Sequence, residues 1–166
     1  MRNTGLLVLF ALIAAGAGAA VYMYGNKPLL APPPSEVTAT SIAFTELASG
    51  TDASVTKRVN YLITTDDELR DLWKLLGAHG ERPVIDFTKE AVIAVFAGEE
   101  PSAGYSIAVS AITDTTERMV TVQIAAPGVT CLAAQVVTTP YQVLKMPKSD
   151  LPLTHEDITT TTGCLE

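Results

Sequence analysis

Cysteine, histidine, tryptophan and positive charge are all scarce in this chain of 166 residues. It has two Cys, two His, one Trp, and 11 Lys+Arg against 18 Asp+Glu, for a formal net charge of -7. So few basic residues exclude a general nucleic-acid binder, which must neutralise phosphates with a basic face. So few nitrogen and sulfur ligands leave His155-Glu156-Asp157 as the one local cluster of metal-ligand types. A solvated strand edge accounts for that cluster better than a metal does. Also missing are a Gly-rich phosphate loop, a Gly-x-Ser-x-Gly elbow and a His-Glu-x-x-His helix. The expectation is a protein without catalytic residues, metal or cofactor. What is present is apolar: 48% of residues are hydrophobic and 17% charged. This excludes low-hydropathy disorder and allows one domain of ordinary size with a tail.

The charge is unevenly placed. Residues 1–35 hold Arg2 and Lys27 and no acid. Gly5 to Tyr24 is an uncharged, mostly apolar run, just long enough to span a bilayer core of about 30 Å. Ala15-Gly16-Ala17 and Ala17-Gly18-Ala19 fit the small-x-small pattern of signal cleavage. Residues 1–25 therefore read as a signal anchor or a cleaved signal peptide, with membrane attachment through this helix in the first case. Either one sends the rest of the chain outside the cytoplasm. Pro28, Pro32, Pro33 and Pro34 make residues 26–35 an extended spacer. The folded domain is expected over 36–166, in the cell envelope or secreted. In that oxidising setting Cys131 and Cys164 are expected to pair as a disulfide, which would tie down the C-terminus. Cys131 as a nucleophile would need a base. His79 and His155 sit in no recognisable peptidase signature.

Alternation and turn signals predict a mainly β (α+β) domain. Strands are expected over Val37–Leu47, Val59–Ile63, Ala91–Ala97, 105–112, 118–125, Leu132–Thr138 and Gln142–Met146, with an edge-like Leu153–Thr162. Ala48–Ser54 reads as a turn-rich gap, and Pro83–Phe87 as a short segment with β signals. Ala91–Ala97 is a continuous apolar run, as in a central strand covered on both faces. One helix is expected after Thr65. Thr65 and Glu68 form a capping box, and Leu69, Leu72, Trp73 and Leu76 form one apolar stripe ending at Gly77. Trp73 is its main anchor. Pro140 belongs at a bend or bulge. The economical fold is an antiparallel β-sandwich or partial barrel with one packed helix, plus the N-terminal transmembrane or signal helix.

Three segments carry a family resemblance. They are Val84-Ile85-Asp86-Phe87-Thr88-Lys89-Glu90 leading into Val92 to Glu99; Pro101-Ser102-Ala103-Gly104-Tyr105-Ser106-Ile107; and Cys131, Gln135 and the run Thr139 to Asp150. Over about 84–150 the chain resembles the C-terminal domain of the PrcB family, the protease-complex-stabilising domain of bacterial envelope proteins. Ala103-Gly104-Tyr105 stands where family members more often have Gly-Gly-Tyr. The resemblance implies a non-catalytic module that binds an extracytoplasmic protease or another secreted protein. Separately, Glu100 to Tyr105 is similar to the Asn-Pro-Thr-Thr-Gly-Tyr loop of chagasin-type cysteine-peptidase inhibitors, which are immunoglobulin-like sandwiches. That implies, as the alternative, an inhibitor that inserts this loop.

Glu100, Pro101, Ser102, Ala103, Gly104 and Tyr105 are therefore the candidate partner contacts, since functional contacts concentrate on loops carried by a rigid sheet. The same residues also read as an ordinary loop, with Pro101 setting a turn and Gly104 relaxing the backbone. Gln135, Pro140, Tyr141 and Trp73 are assigned structural roles. Gln135 is expected inside an apolar strand, bracing the irregular backbone near Pro140.

Overall fold

A computed structural model describes residues 38–77 and 80–163. The expected N-terminal helix, the spacer, the start of the domain at Glu36, His79 and Cys164 lie outside them. Among the described residues no helix is long and apolar enough to cross a membrane.

Eight strands and one helix follow in order among the described residues: β1 (Thr40–Ser41), β2 (Thr45–Gly50), β3 (Val59–Ile63), α1 (Asp66–Leu75), β4 (Glu90–Phe96), β5 (Ser106–Asp114), β6 (Arg118–Pro127), β7 (Tyr141–Pro147) and β8 (Leu153–Thr162). They form two four-stranded sheets, ordered β1-β5-β6-β8 and β2-β7-β4-β3. Neither sheet closes into a barrel.

The second sheet is the middle layer. Successive side chains of β4 point to opposite faces. Ile93 and Val95 join Leu144, Ile107, Ile112, Val120 and Val122 in the core between the sheets. Val92, Ala94 and Phe96 join Val143, Tyr141 and the stripe of α1 in a second core on the other face. This is why Ala91–Ala97 has no polar position: every side chain meets protein. Each large apolar residue so buried contributes about 1.5–3 kcal/mol.

The capping box forms as expected. Thr65 Oγ1 accepts from the Glu68 amide at 3.3 Å, and Glu68 Oε2 accepts from the Thr64 and Thr65 amides at 2.8 and 3.1 Å. These amides, the Thr64 bond first, hold the Glu68 carboxyl below its ordinary range. Leu69, Leu72, Trp73 and Leu76 are all buried. Gly77 ends the turn at φ 71°.

Five expectations need correction. Val37–Leu47 is not one strand, and the gap expected from Ala48 is partly strand. β1 pairs with β5 in one sheet and β2 with β7 in the other, so the chain changes sheets between Ser41 and Thr45. Pro83–Phe87 is irregular; Ile85 and Phe87 pack on the helix-side core while Val84 is exposed. Leu132–Thr138 is a loop with exposed apolar side chains. Finally, the sheets are not wholly antiparallel, because β8 runs parallel to β6. The reason is topological. The chain leaves β6, crosses to the other sheet as β7, and returns, and such a crossover delivers the strand in its original direction.

Candidate partner-binding site

The strand registers sort the loops by end. Phe96 is opposite Tyr141, Val59 opposite Phe96, Gly50 opposite Tyr141, and Pro127 opposite Thr162. The long connections 51–58, 97–105 and 128–140 therefore gather at one end, the loop end. The opposite end, the turn end, holds the short turns 115–117 and 148–152 and both ends of the 64–89 connection that carries α1. There Thr40 pairs with Asp114, Asp114 with Arg118, and Arg118 with Leu153.

The three loops are tied by hydrogen bonds. The Glu100 amide donates to Thr138 O at 2.8 Å, and the Thr138 amide returns a bond to Glu100 O at 3.0 Å. The Ala103 amide donates to Ala134 O at 2.9 Å, and Thr138 Oγ1 to Ser102 O at 3.2 Å. Thr139 links the third loop: its amide donates to Thr51 O at 2.8 Å and its hydroxyl to Ala53 O at 2.6 Å. The Glu99 amide donates to Thr56 O at 3.1 Å. Loop backbone that cannot join a ladder is thus satisfied between loops, as buried amides must be.

Two glycines make this close approach feasible. Gly98 has φ 94°, and a Cβ there would lie 2.9 Å from the Arg58 amide nitrogen. Gly104 also has φ 94°, and its Cβ would lie 3.2 Å from Pro127 Cβ. Both backbone angles are ones that L side chains rarely adopt.

The candidate contacts now divide. Pro101 and Gly104 are exposed, Glu100, Ala103 and Tyr105 are half-buried, and Ser102 is buried. The segment 100–105 is a buttress laid against 128–140. Burial pushes the Glu100 carboxyl above its ordinary value. The exposed apolar surface lies on the neighbouring loop, where Val129, Leu132, Val136 and Val137 face solvent and Leu132 is 106% exposed. A groove of about 460 Å³ runs between the two loops, lined by Ala103, Gly104, Pro127, Leu132, Ala133 and Ala134. Cys131 lines the same groove. Its sulfur would lie 3.2 Å from a Cβ at Gly128, whose amide donates to Thr162 O at 3.1 Å.

The structural assignments are mixed. Trp73 is buried on the helix stripe, and its indole N–H reaches Gly80 O at 3.4 Å. Pro140 is fully buried just before β7, and its carbonyl accepts from the Ala97 amide at 2.9 Å. Tyr141 is buried and stacks on Phe96 with ring centroids 6.1 Å apart. Gln135 is corrected. It is exposed and donates to Ala133 O at 3.3 Å, two residues away and not near Pro140.

The glutamine that braces the core is Gln142. Its Oε1 accepts from the Val109 amide at 2.7 Å and its Nε2 donates to Glu46 Oε2 at 2.5 Å. The register of β5 on β6 shifts between Val109 and Ala111. Such a bulge leaves an amide without a ladder partner, and Gln142 supplies one from the other sheet. A glutamine within an apolar strand was the right signal; Gln135 was the wrong glutamine. The exposed apolar loop was missed because its Val and Leu content imitates a strand. Gly128 and Pro140, which bracket it, were the available sign.

His155 and Asp157 lie on β8, where the Arg58 guanidinium binds the Asp157 carboxylate through contacts of 2.9 and 2.5 Å. Among the described residues, no group of three or more His, Cys, Asp or Glu is placed to hold a metal ion.

Residues 91–147, about a third of the chain, match the family model described as PrcB C-terminal. That span runs from β4 through β7 and contains loops 97–105 and 128–140 entire. No curated protein and no solved structure matches the chain.

Proposed function

From a PrcB C-terminal match over residues 91–147, we propose that this protein is a non-catalytic docking module, held at the cell envelope, that binds an extracytoplasmic protease or another secreted protein. The observation that carries the proposal is the apolar loop 129–137. Its large side chains face solvent while its backbone is pinned to a buttress from a second loop. A rigid sandwich presenting an exposed apolar loop has the anatomy of an interface centre. The inhibitor reading fares worse. A loop inserted into a peptidase cleft must protrude, whereas Ser102 is buried and Glu100, Ser102 and Ala103 are bonded to the neighbouring loop.

Two further features belong to the same proposal. The N-terminal apolar run anchors the domain or exports it. A disulfide joins Cys131 to Cys164; the proximity of the Cys131 sulfur to Gly128, which bonds Thr162, favours it. Mass spectrometry of the mature protein before and after reduction checks both: the mass gives the N-terminus, and a gain of two hydrogens gives the bridge.

The function is tested by crosslinking full-length protein in its own cells and identifying what is captured. One protease or secreted protein is expected with wild type and is lost with Leu132→Asp. Gly104→Val, which disturbs the buttress, is expected to weaken capture. Capture that Leu132→Asp leaves unchanged overturns the assignment of the loop.

A further inference from the structure

The loop end joins apolar side chains to a one-sided charge balance. Val129, Leu132, Val136 and Val137 project from one loop. Around them the loops carry Glu99 and Glu100 against Lys57, while Arg58 is bound to Asp157. Several basic residues of α1 and of the turn end pair with nearby acids, as in Lys74–Asp71, Lys145–Glu90 and Arg118–Asp114. Glu99 is exposed and its amide is fixed to Thr56 O, and Glu100 is bonded through its backbone to Thr138, so both acids stand on the loop that packs against the apolar one.

The chain joins the domain elsewhere. Thr40 lies opposite Asp114, and β5 then runs nine residues before the loop end is reached at Ser106. At about 3.3 Å per residue that separation is roughly 30 Å. Thr40, in the first strand, therefore lies at the end away from the apolar loop.

We propose that the loop end docks a polypeptide whose contact surface has an apolar centre, taken into the groove beside Leu132, and a basic rim facing Glu99 and Glu100. This rests on the docking-module reading and adds the chemistry of the partner. Like charges across such a rim would repel, so the acids select against acidic partners as well as for basic ones. An acidic surface is a poor match for an anionic lipid face, and two copies meeting loop to loop would bring their acids together.

The test uses the full chain in neutral-lipid nanodiscs. The probes are three sets of synthetic twelve-residue peptides, each with a Leu-Val pair flanked by Lys, by Ser or by Glu. The Lys-flanked set is expected to bind at least tenfold more tightly than the Glu-flanked set, with the gap closing as salt is raised. Leu132→Asp combined with Val136→Asp is expected to abolish binding of every set. Glu99→Lys is expected to erase or reverse the Lys preference while leaving the urea midpoint in place; Glu99→Gln serves as the milder variant. Equal binding of the three sets overturns the basic rim but leaves the docking module intact. Binding that ignores the Leu132 and Val136 changes overturns the docking surface itself. Preference for anionic vesicles over peptides, or self-association abolished by Leu132→Asp, assigns the face to lipid or to a second copy and overturns the proposal.

Discussion

The two ends of this sandwich solve the same problem differently. At the turn end, charged side chains add to the backbone bonds that close the turns. Arg118 is 4% exposed, yet its guanidinium binds Asp114 through two contacts of 2.7 Å and donates to Pro147 O at 2.5 Å. Lys145 meets Glu90 at 2.8 Å nearby. At the loop end, backbone bonds run from loop to loop, joined by the Thr138 and Thr139 hydroxyls, and the large apolar side chains of 129–137 are left facing out. The difference teaches which end is free to change. Where side chains complete the fold, substituting them costs stability. Where backbone completes it, the side chains are available to bind something else.

The largest effect that would sharpen this contrast is at Arg118. Arg118→Met leaves Asp114 and the Pro147 carbonyl without their donor, and breaking a buried pair in this way costs about 3–5 kcal/mol. Urea denaturation measures it, and partner capture at a temperature where the variant is folded should be unchanged. Next is Gly98→Ala, which forces a Cβ against the Arg58 backbone at positive φ. The expected loss is about 2 kcal/mol or more, and here capture should fall too, because the three loops separate. Gln142→Leu lies between the ends. It leaves the Val109 amide buried and unpaired for about 1–3 kcal/mol, and amide hydrogen exchange at Val109 should accelerate.

Acid titration compares the ends directly. Asp114 is held below its ordinary value, first by its hydrogen bond from Arg118. The folded state then binds its proton less readily than the unfolded chain. The stability from this pair is complete above the ordinary carboxylate range and is lost as pH falls through the folded value. Glu100 has the opposite sign, because burial raises it. Between the ordinary and the raised value the folded state holds the extra proton, so stability falls as pH rises through that window. Arg118→Met should remove the first slope and Glu100→Gln the second, read from unfolding midpoints across pH. The smallest effect on stability belongs to Leu132→Asp, within about 0.5 kcal/mol as for exposed positions, alongside complete loss of partner capture. A large destabilisation by Leu132→Asp would break the contrast, because that side chain would then be serving the fold.

Local rules made much of the fold legible. The capping box at Thr65, the stripe Leu69-Leu72-Trp73-Leu76, the two-faced β4 and the β5–β6 hairpin all depend on neighbours in sequence, and each was found where its pattern lay. The site was less legible. The segment 100–105 was recognised, but it lies against 128–140 with Ser102 buried, and the exposed apolar side chains belong to its neighbour. The loop 129–137 was misread because Val and Leu in a short run satisfy a strand pattern wherever they point.

Taken alone, the sequence determined which segments could be apolar on one face or two, where a helix had to start and stop, and which chemistries had no residues to perform them. Those are properties of composition and of periods of two and three to four residues. Only the tertiary structure decided that 132–138 faces solvent, that β8 returns parallel to β6, and that Gln142 and not Gln135 braces the core. Each of these depends on partners tens of residues away. Val109 lies on one sheet and Gln142 on the other, and no local pattern records that a bulge in the first needs an acceptor from the second.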